Sequence, residues 1–247
     1  MKKHFLLSLT FFFFVIVAFS QADYKMWETI YIVPKADKIE ELKKGMAEHN
    51  QKYHNEDPFT AHVWSIHTGR HEGTWLWAMG PTTFTDLDNR PAEEGHDKDW
   101  DENITPYVEK VYGVKYWKLD EELSYIKEDS PSGKAIFSVY DIKPFEGYRF
   151  KEMIRKVIKV YEEMDYPYSM TYYSSEFNSD DGEDVVLEWT FDKWSWFDRD
   201  PVFVKKYEEV HGMGSWHYFM EEFKDVVDGS FDEVAEYMEE LSGGSSD

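Results

Sequence analysis

Leu87-Asp88-Asn89-Arg90-Pro91 returns 110 positions later as Phe197-Asp198-Arg199-Asp200-Pro201. Its surroundings return with it. Pro58, ahead of the stretch Phe59 to Ile66, has a counterpart in Pro167, ahead of Tyr168 to Ser175, and Glu121-Glu122-Leu123-Ser124 recurs as Glu239-Glu240-Leu241-Ser242. Landmarks that recur at a nearly constant offset mark one unit written twice.

Working outward, each unit opens on a β-branched and aromatic stretch, Glu28 to Val33 and Ala135 to Tyr140, and each runs into a proline, Pro34 and Pro144. Such stretches suit strands. An amphipathic helix follows in both. Ile39, Leu42, Met46 and Tyr53 keep helical spacing in the first, with Asp37 and Glu40 placed as a capping box variant, and Phe150, Met153, Ile154, Val157, Tyr161 and Met164 do so in the second. The strands after Pro58 and Pro167 lead into polar turns at Gly69 to Gly73 and Asn178 to Gly182, then into third strands centred on Trp77 and Trp189. The Asp/Arg/Pro segments start a second helical region. The order is β-α-β-β-α-β twice, the split βαβ or ferredoxin-like plan, which leaves one sheet face open. Two copies close that face by covering each other.

The expected boundaries are a first repeat over residues 23–126, a linker over 127–133 rich in charge, Ser, Pro and Gly, a second repeat over 134–242, and a flexible tail over 243–247. Ahead of them, Lys2 and Lys3 precede an apolar run from Phe5 to about Ala18 and the small residues Ser20 and Ala22, which reads as a signal peptide over 1–22. Export to the periplasm or the medium is therefore expected. The apolar run is shorter than a membrane span, and no span is expected in the mature chain.

On this element order, residues Met26 to Leu241 resemble the dimeric α/β-barrel superfamily, especially its fused two-copy members, and more loosely the antibiotic-biosynthesis-monooxygenase-like and NIPSNAP-like proteins. The resemblance implies an α+β fold of two tandem ferredoxin-like repeats whose antiparallel sheets pack face to face. It also implies a small apolar or aromatic ligand, or haem, between the sheets, and leaves the cofactor otherwise open.

Composition narrows the function. There is no cysteine, which removes disulfides, thiolate nucleophiles and cysteine metal sites. A net charge of −23 argues against a nucleic-acid partner. No Gly-x-Ser-x-Gly elbow, His-Glu-x-x-His helix, phosphate loop or dinucleotide fingerprint is present.

Six histidines fall in the first unit, His49, His54, His62, His67, His71 and His96, and they have no duplicates in the second. A neutral imidazole serves as proton shuttle or ligand. Strand alternation puts His62 with Trp64 and Ile66 on one face and His67 on the other, while His96 shares a helix face with Trp100. His62 and His96 are the expected catalytic residues. Trp64, Trp75, Trp77, Trp100, His49, Glu188 and Trp189 are the expected ligand contacts, although aromatic stripes are also ordinary core. His62, His67 and His71 lie on a strand and a turn, where their spacing does not converge, and no metal site is expected. The acidic turn Asn178 to Asp184 misses the glycine position of a calcium loop.

The resulting expectation is an exported small-molecule-binding protein with histidine acid/base chemistry of an isomerase or monooxygenase kind. The alternatives are a non-enzymatic binding or assembly module with a filled core, and a haem-binding protein.

Overall fold

The computed structural model describes residues 23–92, 94–199 and 202–244. The expected signal segment 1–22, Asp200 and Pro201 of the second landmark, and residues 245–247 lie outside the described residues.

The first half runs β1 (Met26–Pro34), α1 (Ile39–Tyr53), β2 (Ala61–Ile66), β3 (Trp75–Thr82), α2 (Phe84–Asp88), α3 (His96–Asn103), β4 (Val108–Val111) and β5 (Lys115–Leu119). The second runs β6 (Lys134–Ile142), α4 (Gly147–Met164), β7 (Met170–Ser175), β8 (Val185–Phe191), α5 (Phe203–His211), α6 (Ser215–Val226) and β9 (Val227–Tyr237). β4 and β5 both pair with β1, through Ile32 opposite Val111 and Trp27 opposite Trp117, so together they act as one edge strand interrupted at 112–114. The first half thus orders its strands β5-β1-β3-β2 and the second β9-β6-β8-β7.

The sheets expected to pack face to face are parts of one continuous sheet. Antiparallel pairing of β2 with β9, Trp64 opposite Tyr237, and of β5 with β7, Trp117 opposite Ser175, joins the sheets edge to edge into a closed eight-stranded barrel. Closure removes the unpaired edges that open sheets expose. The inner faces still meet, but across a lumen.

The helices cover the outside, giving two seams and an interior. In the first seam, Leu42 and Met46 of α1 pack on Val63, Trp75, Trp77 and Met79. In the second, Phe150, Met153, Ile154 and Val157 of α4 pack on Met170, Tyr172 and Leu187. The interior holds Ile66, Leu76, Ala135, Phe137 and Ala235. Alternation along each strand decides which core a side chain joins.

Two local expectations fail. The Asp37/Glu40 capping box is not formed, because α1 starts after Lys38 with no side-chain cap; the capping box is made instead by Thr83 and Asp86 at α2. Gly243, expected in a flexible tail, donates its N–H to the Ala61 carbonyl at 2.8 Å and lies against the His54 carbonyl so closely that a Cβ would fall 1.6 Å from that oxygen.

Candidate functional site

Inward-facing side chains enclose a cavity of about 200 Å³ in the barrel, with walls of Trp27, Trp64, Trp117 and Phe137. Trp64 meets Phe137 edge-on at 5.8 Å between centroids, and Trp27 meets Tyr173 edge-on at 5.5 Å. Edge-to-face contacts hold the rings apart as walls around an open space. Into this apolar space β8 projects Glu188, whose carboxylate accepts a hydrogen bond from Tyr173 Oη at 3.0 Å. No cation pairs with it among the described residues. Burial raises the Glu188 carboxyl above its usual range and, with the neighbouring carboxylate, pushes the Tyr173 phenol well up. A carboxyl kept in such surroundings is costly to ionise.

His62 lines the same cavity. Its Nδ1 lies 3.3 Å from Tyr237 Oη, its ring also bonds the Gly80 backbone, and burial lowers its affinity for a proton, so it stands as a neutral imidazole. A second recess of about 370 Å³ shares Thr29, Tyr31 and Glu183 with the cavity and is bordered by Arg70, His71 and Lys115. Here Glu183 receives Lys115 at 2.6 Å and Arg70 at 3.2 Å, while Tyr31 and His71 stack at 4.0 Å and both donate to the fully buried Glu233. Thr29, Tyr31 and Glu183 thus border both the apolar chamber and this polar recess.

A separate group lies outside the barrel, where α1 meets α3. His49 on α1, His54 just past its end and His96 at the start of α3 bring one ring nitrogen each to within 4.8 Å of one another. Their remaining Nδ1 atoms bond Asp99 Oδ2 at 2.8 Å, the Phe59 carbonyl at 2.9 Å and Asp97 Oδ1 at 2.9 Å respectively. Burial lowers His49 and, helped by the nearby Arg90 charge, takes His54 down to about 3.

The expected site residues therefore divide between two places. His62, Trp64 and Glu188 line the barrel cavity, with Trp64 and Ile66 on the inward face that alternation assigned to His62. Trp75, Trp77 and Trp100 do not line it; they belong to the first seam, where Trp77 meets Trp100 edge-on at 6.1 Å. His49 and His96 are in that seam too, with His49 5.2 Å from the Trp100 ring. Trp189 points the opposite way from Glu188 and packs against the second seam, its indole N–H donating to Tyr161 Oη at 3.3 Å. The physical reason is common to all: alternation tells which residues share a strand face, but not whether that face meets lumen or helix.

Trp27, Trp117, Phe137 and Tyr173 were not singled out from sequence. Trp27 and Thr29 of β1 and Phe137 and Val139 of β6 recur every second residue, which was the available signal. His54 was noted only within the histidine bias, because its part in the trio depends on a loop and a second helix.

No protein-family model matches the sequence, and no curated protein does so. Solved structures do match in shape. A protein proposed to be a monooxygenase from Fusobacterium nucleatum subsp. nucleatum ATCC 25586 superposes with TM-score 0.56 at 13% identity, covering 90% of this chain and 95% of its own. An anthrone oxidase-like protein gives 0.56 at 11% identity, covering 88% and 92%, and a proposed chlorite dismutase gives 0.54 at 10%, covering 88% and 96%. At such identities the likeness speaks for the fold alone. The chain is an α+β protein with a closed eight-stranded antiparallel barrel, the fold it shares with these solved structures.

Proposed function

We propose that this protein binds a planar, largely apolar small molecule inside the barrel, one polar group of which meets Glu188 and Tyr173. The observation that carries the reading is Glu188 itself: a carboxyl without a cationic partner, facing an aromatic-walled cavity. Burial of that kind opposes ionisation and stability and is typical of groups kept for a ligand. Size sets the class. A dry cavity of roughly 150 Å³ accepts benzene, so about 200 Å³ suits one ring or a fused pair. A phenol or enol would donate to Glu188, a carbonyl would accept from its protonated form, and neutral His62 is the residue equipped to take a proton from the ligand. The names of the anthrone oxidase-like and monooxygenase neighbours are in keeping with an aromatic ligand.

Haem is the second reading, the one implied by the resemblance to the dimeric α/β-barrel superfamily. The residues present do not fit it. A porphyrin is several times larger than benzene, the cavity's histidine His62 is engaged by Tyr237 and the Gly80 backbone, and the space between α4 and its sheet is filled by Phe150, Met153, Ile154 and Leu187.

The same reading takes the two halves as copies of one ferredoxin-like unit, supported by their matching strand orders. It also takes the protein as exported, supported by the segment from Lys2 to Ala22; N-terminal sequencing of secreted protein should begin at Asp23.

The test is equilibrium quenching of tryptophan fluorescence by 2-naphthol. Saturable binding is expected, lost in Ala78→Phe, which fills the lumen from β3, and weakened in Glu188→Gln. Unchanged binding in Ala78→Phe would remove the barrel as the site.

A further inference from the structure

We propose that His49, His54 and His96 bind a divalent first-row transition-metal ion, with one coordination position left open toward the cleft at Arg90. The inference is independent of the barrel ligand, since the trio lies outside the lumen.

Hydrogen bonding fixes which ring nitrogen is free. A backbone carbonyl only accepts, so His54 Nδ1 must carry the hydrogen it donates to Phe59; Asp97 and Asp99 carboxylates require the same of His96 and His49. In each neutral ring the Nε2 atom then presents a lone pair. His54 Nε2 and His96 Nε2 stand 3.2 Å apart, which would set two lone pairs against each other without a proton or cation between them. The Arg90 guanidinium, 3.5 Å from His96 Nε2, donates a long hydrogen bond to it, which is consistent with a lone pair at that nitrogen. His49 Nε2 is buried and has no hydrogen-bond partner among the described residues, and the same holds for Tyr53 Oη beside it. Three acceptor nitrogens thus converge, His49 Nε2 with no partner among the described residues and His96 Nε2 with only a long contact from Arg90, an arrangement that a cation would complete.

The geometry suits a small ion. Metal–imidazole bonds of about 2.0–2.1 Å in a tetrahedron place neighbouring nitrogens about 3.3 Å apart, close to the 3.2 Å seen between His54 and His96. Closing on His49 requires a modest contraction from separations within 4.8 Å. Outer partners of this kind, a carboxylate or carbonyl on each Nδ1–H, orient ligating histidines and raise their basicity. The backbone braces them. A Cβ on Gly45 would fall 2.0 Å from the Asn103 carbonyl oxygen, so only glycine lets α1 approach the end of α3 and bring His49 to Asp99. Gly243 similarly presses on the His54 carbonyl.

Three neutral imidazoles select zinc, cobalt, nickel, copper or iron over calcium and magnesium. They leave the ion's charge uncompensated within the first shell and leave a fourth position. A surface cleft of about 470 Å³, bordered by Tyr53, Arg90, Glu94 and His96, lies beside the trio. With Arg90 at its edge the open position favours a hydroxide or a small oxyanion.

The test uses the full chain stripped by a chelator and titrated with cobalt(II) in excess magnesium, which occupies the carboxylates of an acidic surface but not imidazoles. The expected result is one cobalt per chain with the visible absorption of a four-coordinate ion, displaced by zinc. His96→Gln, at a partly exposed ring, and His54→Gln should each abolish the band or weaken binding at least about 100-fold; Asp99→Asn should weaken it roughly 10- to 100-fold. His67→Gln should leave it intact. Absence of the band in the wild type, or its persistence in folded His96→Gln, would overturn the proposal. Should His54→Gln fail to fold by circular dichroism, His96→Gln decides.

Discussion

In each half a third-strand tryptophan donates its indole N–H to the long helix packed on it: Trp77 to Asn50 Oδ1 at 3.1 Å, Trp189 to Tyr161 Oη at 3.3 Å. The residue just before each acceptor is fully buried in both helices, but it is His49 in α1 and Val160 in α4. Beside Val160 in α4, Val157, Ile158 and Tyr161 belong to the aliphatic and aromatic packing of the second seam. Around His49 the first seam turns polar, with His54, His96, Asp99 and an unpartnered Tyr53 hydroxyl. One framework thus carries a dry core on one side and a polar cluster on the other. Stability needs the first arrangement, whereas the second costs stability unless something fills it.

The largest effect that sharpens this contrast is expected in the dry seam. Phe150→Ala, at a side chain 2% exposed, should cost about 3–5 kcal/mol in urea unfolding, equally with and without added metal. Next comes the metal's own contribution. Zinc at a hundredfold excess over its Kd should stabilise the wild type by about 2.7 kcal/mol, and His49→Val, which rewrites the first seam in the style of the second, should abolish that gain. In chelator, the same His49→Val should cost much less than it does in zinc, because one buried nitrogen it removes has no partner there and only the hydrogen bond to Asp99 is lost. An equal cost in the two conditions would break the comparison.

A smaller effect belongs to the lumen and is read through pH. Burial raises Glu188 above its unfolded value, so the folded state holds a proton that the unfolded state releases. Wild-type stability should therefore fall as pH rises from the unfolded carboxylate value through the folded one, then level off. Glu188→Gln should match the wild type at low pH and exceed it at neutral pH. Stability curves that stay parallel across that window would show that Glu188 is not held in a desolvated state.

Much of the framework was legible from residues whose signals are local. The amphipathic spacing of Leu42, Met46 and Tyr53 and the alternation of His62, Trp64 and Ile66 reappear in the structure as α1 and β2. The last strand was less legible: β9 carries Asp228, Asp232, Glu233 and Glu236, of which Glu233 accepts hydrogen bonds from Tyr31 and His71 and Glu236 one from Lys134, all on distant segments. Sidedness was not legible either, since Trp77 and Ala78 are neighbours in sequence yet face helix and lumen. The bias of histidines toward the first half did point to a polar cluster. Its membership depended on α1, α3 and the chain end meeting at Gly45 and Gly243, contacts that no local pattern reports.

The central claim, that the lumen is a ligand chamber, is tested most directly by diffraction from crystals grown with 6-bromo-2-naphthol, using the anomalous signal of bromine. The account predicts a single strong peak inside the barrel among Trp27, Trp64, Trp117 and Phe137, with the naphthol oxygen against Glu188. A peak only on the surface or in the cleft at Arg90, or a lumen that stays without one at saturating ligand, would contradict it.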